Sequence, residues 1–411
     1  MEQPFTIAIA GGGAAGFFAA ITCAESIPDC RVVLLEKSPE LLAKVTISGG
    51  GRCNVTHACY DPARLVTHYP RGSRELLGPF HRWQPRDTVR WFEERGVALK
   101  TEPDGRMFPV TDQSSTITEC LLREARVAGV EVRTRCGVAS IGIEFRRFHL
   151  ALTNGETMTA DRLLIATGGN QNSGVFQLVE KLGHTIKPLR PSLFSFDCED
   201  PRISDLAGIS VPEAVVSVPD INLSQRGPLL ITHWGLSGPA ILKLSAWGAA
   251  RLADLDYRFT LRVQWVPGAN EQQVREQIQQ ARVEHPKKAV AAWNPWKIPQ
   301  RLWQALLHGA GVGAAIPWNQ FSRAGVDAVV RDLLGMELAI DGKSMNKDEF
   351  VTCGGVSLDE VDFRTMQSRV CPGLYFAGGI LDIDGVTGGF NFQSAWTTGW
   401  IAGKSMGQEA G

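Results

Sequence analysis

The chain has 411 residues, with 42 Lys+Arg against 43 Asp+Glu and a formal charge of -1. Hydrophobic residues at 44% and charged residues at 21% exclude disordered and fibrous classes and predict more than one globular domain. Near-neutrality removes a global electrostatic case for nucleic acid or an anionic membrane. The 9 cysteines, an odd count with no CxxC pair, predict free thiols in a reducing, cytoplasmic setting.

Residues 6–10 (TIAIA) read as a buried strand, 11–16 (GGGAAG) as a turn, the following FFAAITCAES as a helix and 31–36 (RVVLLE) as a second strand. The apolar opening holds several glycines and no basic flank, so it is read as strand, turn and helix and not as a leader or a membrane span. A βαβ unit predicts an α/β fold with a parallel sheet. Further on, Asp87 is expected to cap a helix ending at Gly96, and Thr116 with Glu119 has the spacing of a capping box before a helix stopped by Gly129. Residues 130–166 read as short strands separated by Arg146-Arg147 and Asn154-Gly155, closing on LLIAT at 163–167. From about 190, prolines break the pattern and strand-like pieces run to Val266. Helical texture follows between 270 and 335, and glycine returns in TCGGV, GLYFAGG and GVTGGFNF. The expected organisation is a discontinuous first domain, 1–190 with 345–411, interrupted by a β-rich domain at 191–268 and a helical subdomain at 269–344.

Gly11-x-Gly13-x-x-Gly16 lies between a strand and a helix, and Glu36 closes the next strand. In that setting Gly11 allows the tight turn, Gly13 admits a pyrophosphate to the backbone, Gly16 lets helix and strand approach, and Glu36 accepts from a ribose 2'-hydroxyl. The acid disfavours a 2'-phosphate, so FAD or NAD is expected. A second motif, Lys44 to Asn54, places Ser48, three glycines, Arg52, Cys53 and Asn54 in one loop. It offers flexible backbone and donors for phosphates or ring carbonyls; a linker is the plain alternative. A third, Gly378, Gly379, Asp382 and then Gly388-Gly389-Phe390-Asn391, opens an apolar helix whose N-terminus favours an anionic ring edge.

His233 in THWGLSGP is a candidate general acid or base, with a structural role as the alternative. Ser237 lacks a G-x-S-x-G elbow and an identifiable triad. Cys53 is a candidate acid or buried backbone contact. Its spacing from Cys59 is one residue longer than disulfide reductases use, and no second strand-GxGxxG-helix is present for NAD(P)H. No metal-ligand spacing occurs among the histidines. Arg64, Arg71, Arg74, Arg82, Arg86 and Arg90, interleaved with Tyr69 and Trp83, form either a solvated basic face or an RNA contact.

IAGGGAAG, ISGGGRCNVTH, LLIATGG, THWGLSGPAILKLS, TCGGVSLDEVD and GLYFAGGILDIDGVTGGFNFQSAW, in this order over residues 9–396, resemble a conserved bacterial flavoprotein family. Its members are described as aminoacetone-oxidase-like and 3-dehydro-bile-acid-reductase-like, and some are connected with reducing a uracil in ribosomal RNA. The resemblance implies a glutathione-reductase-like Rossmann FAD domain with an inserted β-barrel-like domain and a helical piece. It assigns Gly11, Gly13, Ala15, Gly16, Glu36 and Lys37 to the ADP half, with Val138 offering backbone to adenine. Lys44, Ser48, Gly49, Gly50, Arg52, Cys53 and Asn54 fall beside the isoalloxazine. Thr167 and Gly168 fall near the phosphates, and Gly378, Asp382, Gly388, Gly389, Phe390 and Asn391 complete the set. Two departures stand out: Gly379 replaces a family Glu, a contact expected to be lost or passed to Asp382, and 170–177 diverges. The implied chemistry is hydride transfer through flavin N5 to a conjugated C=C bond of a small molecule, with NAD(P)H as transient reductant. The alternatives are a uracil in RNA, amine oxidation with O2, and an FAD-retaining sensor without turnover.

Overall fold

β1 (Thr6–Ala10) is buried throughout, and so are four of the five residues of β2 (Arg31–Leu35). A strand buried on both faces needs cover above and below, which parallel sheets receive from crossover helices. β1 pairs in parallel with β2 on one side and with β4 (Arg162–Ile165) on the other; β2 pairs with β3 (Glu131–Arg133), and β4 with β5 (Leu374–Phe376). The parallel order is therefore β5-β4-β1-β2-β3, extended past β5 by two short antiparallel strands, Gln367–Ser368 and Val361–Asp362. The order reverses at β1. This is the switch point at whose carboxyl end doubly wound sheets bind ligands.

The computed structural model describes residues 4–27, 29–170, 173–344 and 351–408 and divides into two units, 1–191 with 350–411, and 192–349. In the first unit, α1 (Ala14–Ser26) packs against the terminal helix, Phe390–Gln408. Small residues make the approach close: a Cβ on Gly399 would lie 2.6 Å from Ala15 O, and one on Gly403 2.6 Å from Ala19 O. Strands Val138–Glu144, Arg147–Leu152 and Thr157–Ala160 form a separate antiparallel meander. Its first turn is made by Phe145 and Arg146, both at positive φ, so Arg147 opens a strand instead of separating two. A ribbon of Ile186–Ser192 with Val351–Val356 lies where the chain leaves and re-enters this unit.

Two helix starts differ from expectation. Asp87 is the third residue of helix Pro85–Glu93, not its cap, and its carboxylate accepts from Gln84 N at 3.0 Å. Thr116 lies inside helix Ser115–Val127 and bonds Thr111 at 2.6 Å; Ser114 holds the cap position. Asp87 lies three residues and Thr116 two residues past the cap, a shift that spacing alone does not resolve.

The second unit holds a seven-stranded antiparallel sheet running from Met336–Ile340 at one edge to Gly342–Ser344 at the other. These edges are successive pieces of one stretch, the first paired with Phe259–Gln264 and the second with Ser195–Asp197, so the sheet curls towards itself. Helices Pro239–Asp254, Glu271–Glu284, Gln300–Gly309 and Arg323–Gly335 contribute Leu244, Ile278, Trp303 and Leu333 to the same core as strand residues Val216, Ile231 and Leu261. Strands and helices here share one core. The expected boundary at 345 falls in 345–350, outside the described residues, as do Gln171 and Asn172 of the divergent 170–177 stretch.

Candidate functional site

Three glycine turns leave the carboxyl ends of β1, β4 and β5, which are neighbours. In the first, Gly11 has φ +118, and a Cβ there would stand 2.4 Å from Ala166 O. A Cβ on Gly16 would stand 1.9 Å from Gly11 O, so this glycine serves helix–strand packing. Gly13, at the N-cap of α1 with φ -94, is different: its Cβ would meet nothing within 4 Å. Space is open over the first amides of α1. Glu36 is fixed beside them, Oε2 accepting from Gly12 N at 2.7 Å and Oε1 from Ser38 N at 2.8 Å, and each carboxylate oxygen keeps a lone pair for a further donor. Cys136 N donates to Glu36 O at 2.8 Å, which brings the start of the Val138 strand alongside, and the Lys37 stem lies against Gly137.

In the second turn Ala166 N donates to Ala10 O at 2.8 Å, and Gly168 at φ +74 has open space where a Cβ would be. Thr167 Oγ1 between them is buried and, among the described residues, has no hydrogen-bond partner. An orphaned hydroxyl beside two open glycines and a helix N-terminus fits a diphosphate with its attached sugars, the cradle that FAD requires. In the third turn Gly378 N donates to Thr398 Oγ1 at 2.9 Å, and a Cβ there would meet the Ala15 methyl at 2.8 Å, so these two residues serve contact between turn and helix. Asp382 turns to Gly354 N at 3.1 Å, and burial raises its pKa with Asp384 nearby adding to the rise.

The loop at 43–51 begins as a helix and unwinds where Ser48 turns extended and Gly49 and Gly50 take φ +59 and +70. Gly50 and Gly51 again face open space. Cys53 is fully buried at φ +60, and burial pushes its thiol up to about 12, against a hydrogen bond with Ser48 that lowers it. A neutral, enclosed thiol of this kind is a packing group, so the structure speaks against Cys53 as an acid catalyst. Arg52 is turned away from any phosphate role, with Nη1 2.7 Å from Glu102 Oε1 and its guanidinium 4.0 Å over the Phe108 ring. Asn54 clasps the loop to the terminal helix: its amide donates to Thr56 O at 3.1 Å and accepts from Gly389 N at 2.9 Å.

At that helix start, Gly388 and Gly389 have φ +133 and +91, and a Cβ on Gly389 would stand 2.5 Å from Thr56 O. Asn391 closes its own loop by bonding both Gly385 N and Gly385 O at 2.8 Å. The Phe390 ring packs against both His57 at 4.7 Å and His68 at 4.1 Å, whose own centroids are 5.9 Å apart, and Tyr69 donates to Phe390 O at 2.7 Å. Arg71 pairs with the fully buried Asp384. Below them, Gln393 Oε1 accepts from Thr56 at 2.6 Å and from Thr88 at 3.1 Å. Sequence reading missed His57, His68, Tyr69, Asp384 and Gln393 as members of this site; the signals were the place of His57 at the end of ISGGGRCNVTH and of Asp384 and Gln393 inside GLYFAGGILDIDGVTGGFNFQSAW.

His233 belongs to the second unit. It is exposed with Trp234 on a tight turn closed by Thr232 N to Gly235 O at 2.8 Å, and among the described residues no hydrogen-bonded partner orients the ring. Ser237 bonds Ser195 at 2.7 Å.

Adjacent glycine turns on a parallel sheet, with an acid fixed beside the first, define a dinucleotide-binding Rossmann protein. The chain belongs to the family of HI0933-like proteins with a Rossmann domain, matched over residues 5–405, and is an FAD-dependent oxidoreductase. It is similar to a ribosomal RNA dihydrouridine synthase of Escherichia coli (strain K12), 29% identical over 99% of this chain and 98% of the relative. It is also similar to a 3-dehydro-bile acid delta(4,6)-reductase of Clostridium scindens, 27% identical over 98% of this chain and 99% of the relative. Among solved structures, a 3-ketosteroid-delta4-(5alpha)-dehydrogenase from Rhodococcus jostii RHA1 in complex with 4-androstene-3,17-dione has a TM-score of 0.52 at 14% identity, covering 99% of this chain and 98% of that one. At that identity the likeness concerns the fold. No described helix is long and apolar enough to cross a membrane.

Proposed function

We propose that the protein is a reductase that saturates a carbon–carbon double bond conjugated to a carbonyl, with NAD(P)H as transient reductant. The observation that carries the reading is the cradle of Gly13, Thr167 and Gly168 beside Glu36, in a chain whose relatives both bear names of C=C reduction. Bound FAD supplies hydride acceptance and donation. The amides that open α1 hold the diphosphate, Glu36 takes a ribose hydroxyl, and Thr167 gains the partner it lacks. Gly50 and Gly51 would leave room for a flat ring beside the loop, and the amides opening the terminal helix would favour negative charge on such a ring. The Asn54 clasp keeps loop and helix at a fixed separation. A cytoplasmic address belongs to the same reading, on the odd cysteine count.

The test is a visible spectrum of the purified protein, followed by anaerobic mixing with NADH or NADPH and then with an enone or a uracil-bearing RNA. Bleaching by NAD(P)H and return of colour with the acceptor support the proposal. Bleaching by amines alone makes the protein an oxidase, reduction with no productive acceptor makes it a sensor, and a preparation that takes up no FAD overturns all three. A second reading has RNA as the carrier of the double bond, favoured by Arg74, Arg82 and Arg86 of the first unit, which form no ion pair among the described residues.

A further inference from the structure

The arginines singled out in the sequence separate into two groups. Arg71 is buried against Asp384, Arg64 lies 3.8 Å from Asp61, and Arg90 lies 2.8 Å from Asp87. Tyr69 and Trp83 are buried and present no ring to solvent. Among the described residues, Arg74, Arg82 and Arg86 form no ion pair, a state they share with exposed Arg126, Arg146 and Arg323; what sets the three apart is their nearness in the chain and the rings beside two of them. A guanidinium without a carboxylate keeps its donors for an external anion.

Position adds to charge. On helix Ser73–Arg82, Leu76, Pro79 and Phe80 face inward, and Arg74, Leu77, Gly78, His81 and Arg82 are exposed at the spacing of one helix face. That face carries no carboxylate; the helix's single acid, Glu75, falls outside it. Two of the three guanidinium groups lie next to aromatic rings. Arg82 donates to Arg364 O and sits 5.8 Å over Trp400, which is half-buried and stacked on Trp83, and Arg86 sits 5.4 Å over Tyr60, which is 38% exposed. Cations beside partly open rings suit a ligand with alternating phosphates and flat bases. Leu77 is the only large apolar side chain on the face, too little for insertion into a lipid surface.

Resting on the second reading above, we infer that Arg74, Arg82 and Arg86, with Tyr60 and Trp400, form a docking surface for a single-stranded or looped RNA segment. The guanidiniums take phosphates and the rings take bases. Each phosphate contact to single-stranded nucleic acid contributes a slope of about -0.7 to log K against log salt, so three contacts give about -2, or about a 20-fold loss of affinity between 50 and 200 mM salt.

The experiment is fluorescence anisotropy of a labelled RNA hairpin with a uracil-containing loop, titrated with the FAD-loaded protein across that salt range. The expected result is a wild-type slope near that value, a slope smaller by about 0.7 for R82Q, and a nearly flat response for R74Q/R82Q/R86Q. R126Q, an exposed arginine elsewhere, should bind as wild type does. Retained visible FAD absorbance shows that each variant is folded. A triple variant that binds with the wild-type slope overturns the docking surface while leaving RNA as a substrate carrier. A wild type that binds no RNA at the lowest salt overturns both, without touching NAD(P)H-driven reduction of a small enone. Equal retention on anionic lipid vesicles, with the same dependence on the three arginines, also overturns the assignment to RNA.

Discussion

Replacing Gly13 by alanine should separate folding from cofactor binding. The backbone there, at φ -94 and ψ -170, suits any residue, and the new methyl meets no protein atom within 4 Å. Alanine is a poorer N-cap than glycine by roughly 0.5–1 kcal/mol. The restricted unfolded chain returns about 0.4–1 kcal/mol, so stability should hardly change. The methyl does occupy the space over the first amides of α1. Displacing a diphosphate from one charge-assisted hydrogen bond costs about 1.5–3 kcal/mol, which corresponds to a rise in the FAD dissociation constant of about 10- to 150-fold. Gly16→Ala is the contrast, because its methyl would lie 1.9 Å from Gly11 O and the helix must move, at about 1–3 kcal/mol or more of folding stability. Apoprotein urea melts and FAD titrations followed by fluorescence quenching measure the two quantities separately. Wild-type FAD affinity in G13A would refute the assignment of the cradle to the diphosphate.

Three further outcomes are expected. Burial raises the Cys53 thiol from 9.0 to about 12, so the native state keeps a proton that the unfolded chain releases above pH 9; Cys53 thus stabilises below pH 9 and contributes a slope of about -1.4 kcal/mol per pH unit as pH rises from 9 towards 12. Urea melts across that window should show the slope reduced by that amount in Cys53→Ala, and an unchanged slope would be against it. Asn54→Ala should lose about 1–3 kcal/mol, because Thr56 O and Gly389 N are left without their partner, and the FAD circular dichroism should change with it. Gly403→Ala, whose methyl would lie 2.6 Å from Ala19 O, should lower stability by about 1–3 kcal/mol without altering the spectrum of bound FAD.

Much of the first unit was legible because its constraints are local. Gly11, Gly13 and Gly16 differ in what surrounds them, and their spacing between a strand and a helix announced those differences. Ala15 and Gly378 entered the expected cofactor set through the resemblance, which says nothing of the packing between them. Helix starts slipped because Asp87 is as acceptable at the third helical position as at the cap. Arg52 and Asn391 looked like donors for a cofactor; in the fold they serve Glu102 and Gly385, partners no linear pattern reveals. His57 and Phe390 lie in quoted motifs, but their packing with each other and with His68 joins residues far apart in sequence, and that contact has no linear signature. In the second unit, the helices were read as a subdomain that caps something; a stripe does not name the surface it will cover, and here it covers the inserted sheet's core.

The pairing of β4 with β5 has a consequence for biosynthesis. Leu163, Leu164 and Ile165 leave the ribosome long before Leu374, Tyr375 and Phe376, their partners on that edge. Throughout translation of the intervening insertion, the half-built sheet therefore presents an apolar, unpaired margin, and α1 waits without the glycine-lined helix that will cover it. A nascent chain stalled within the insertion should accordingly engage chaperones and be cut readily by protease, and should acquire protection only once residues 374–408 have emerged.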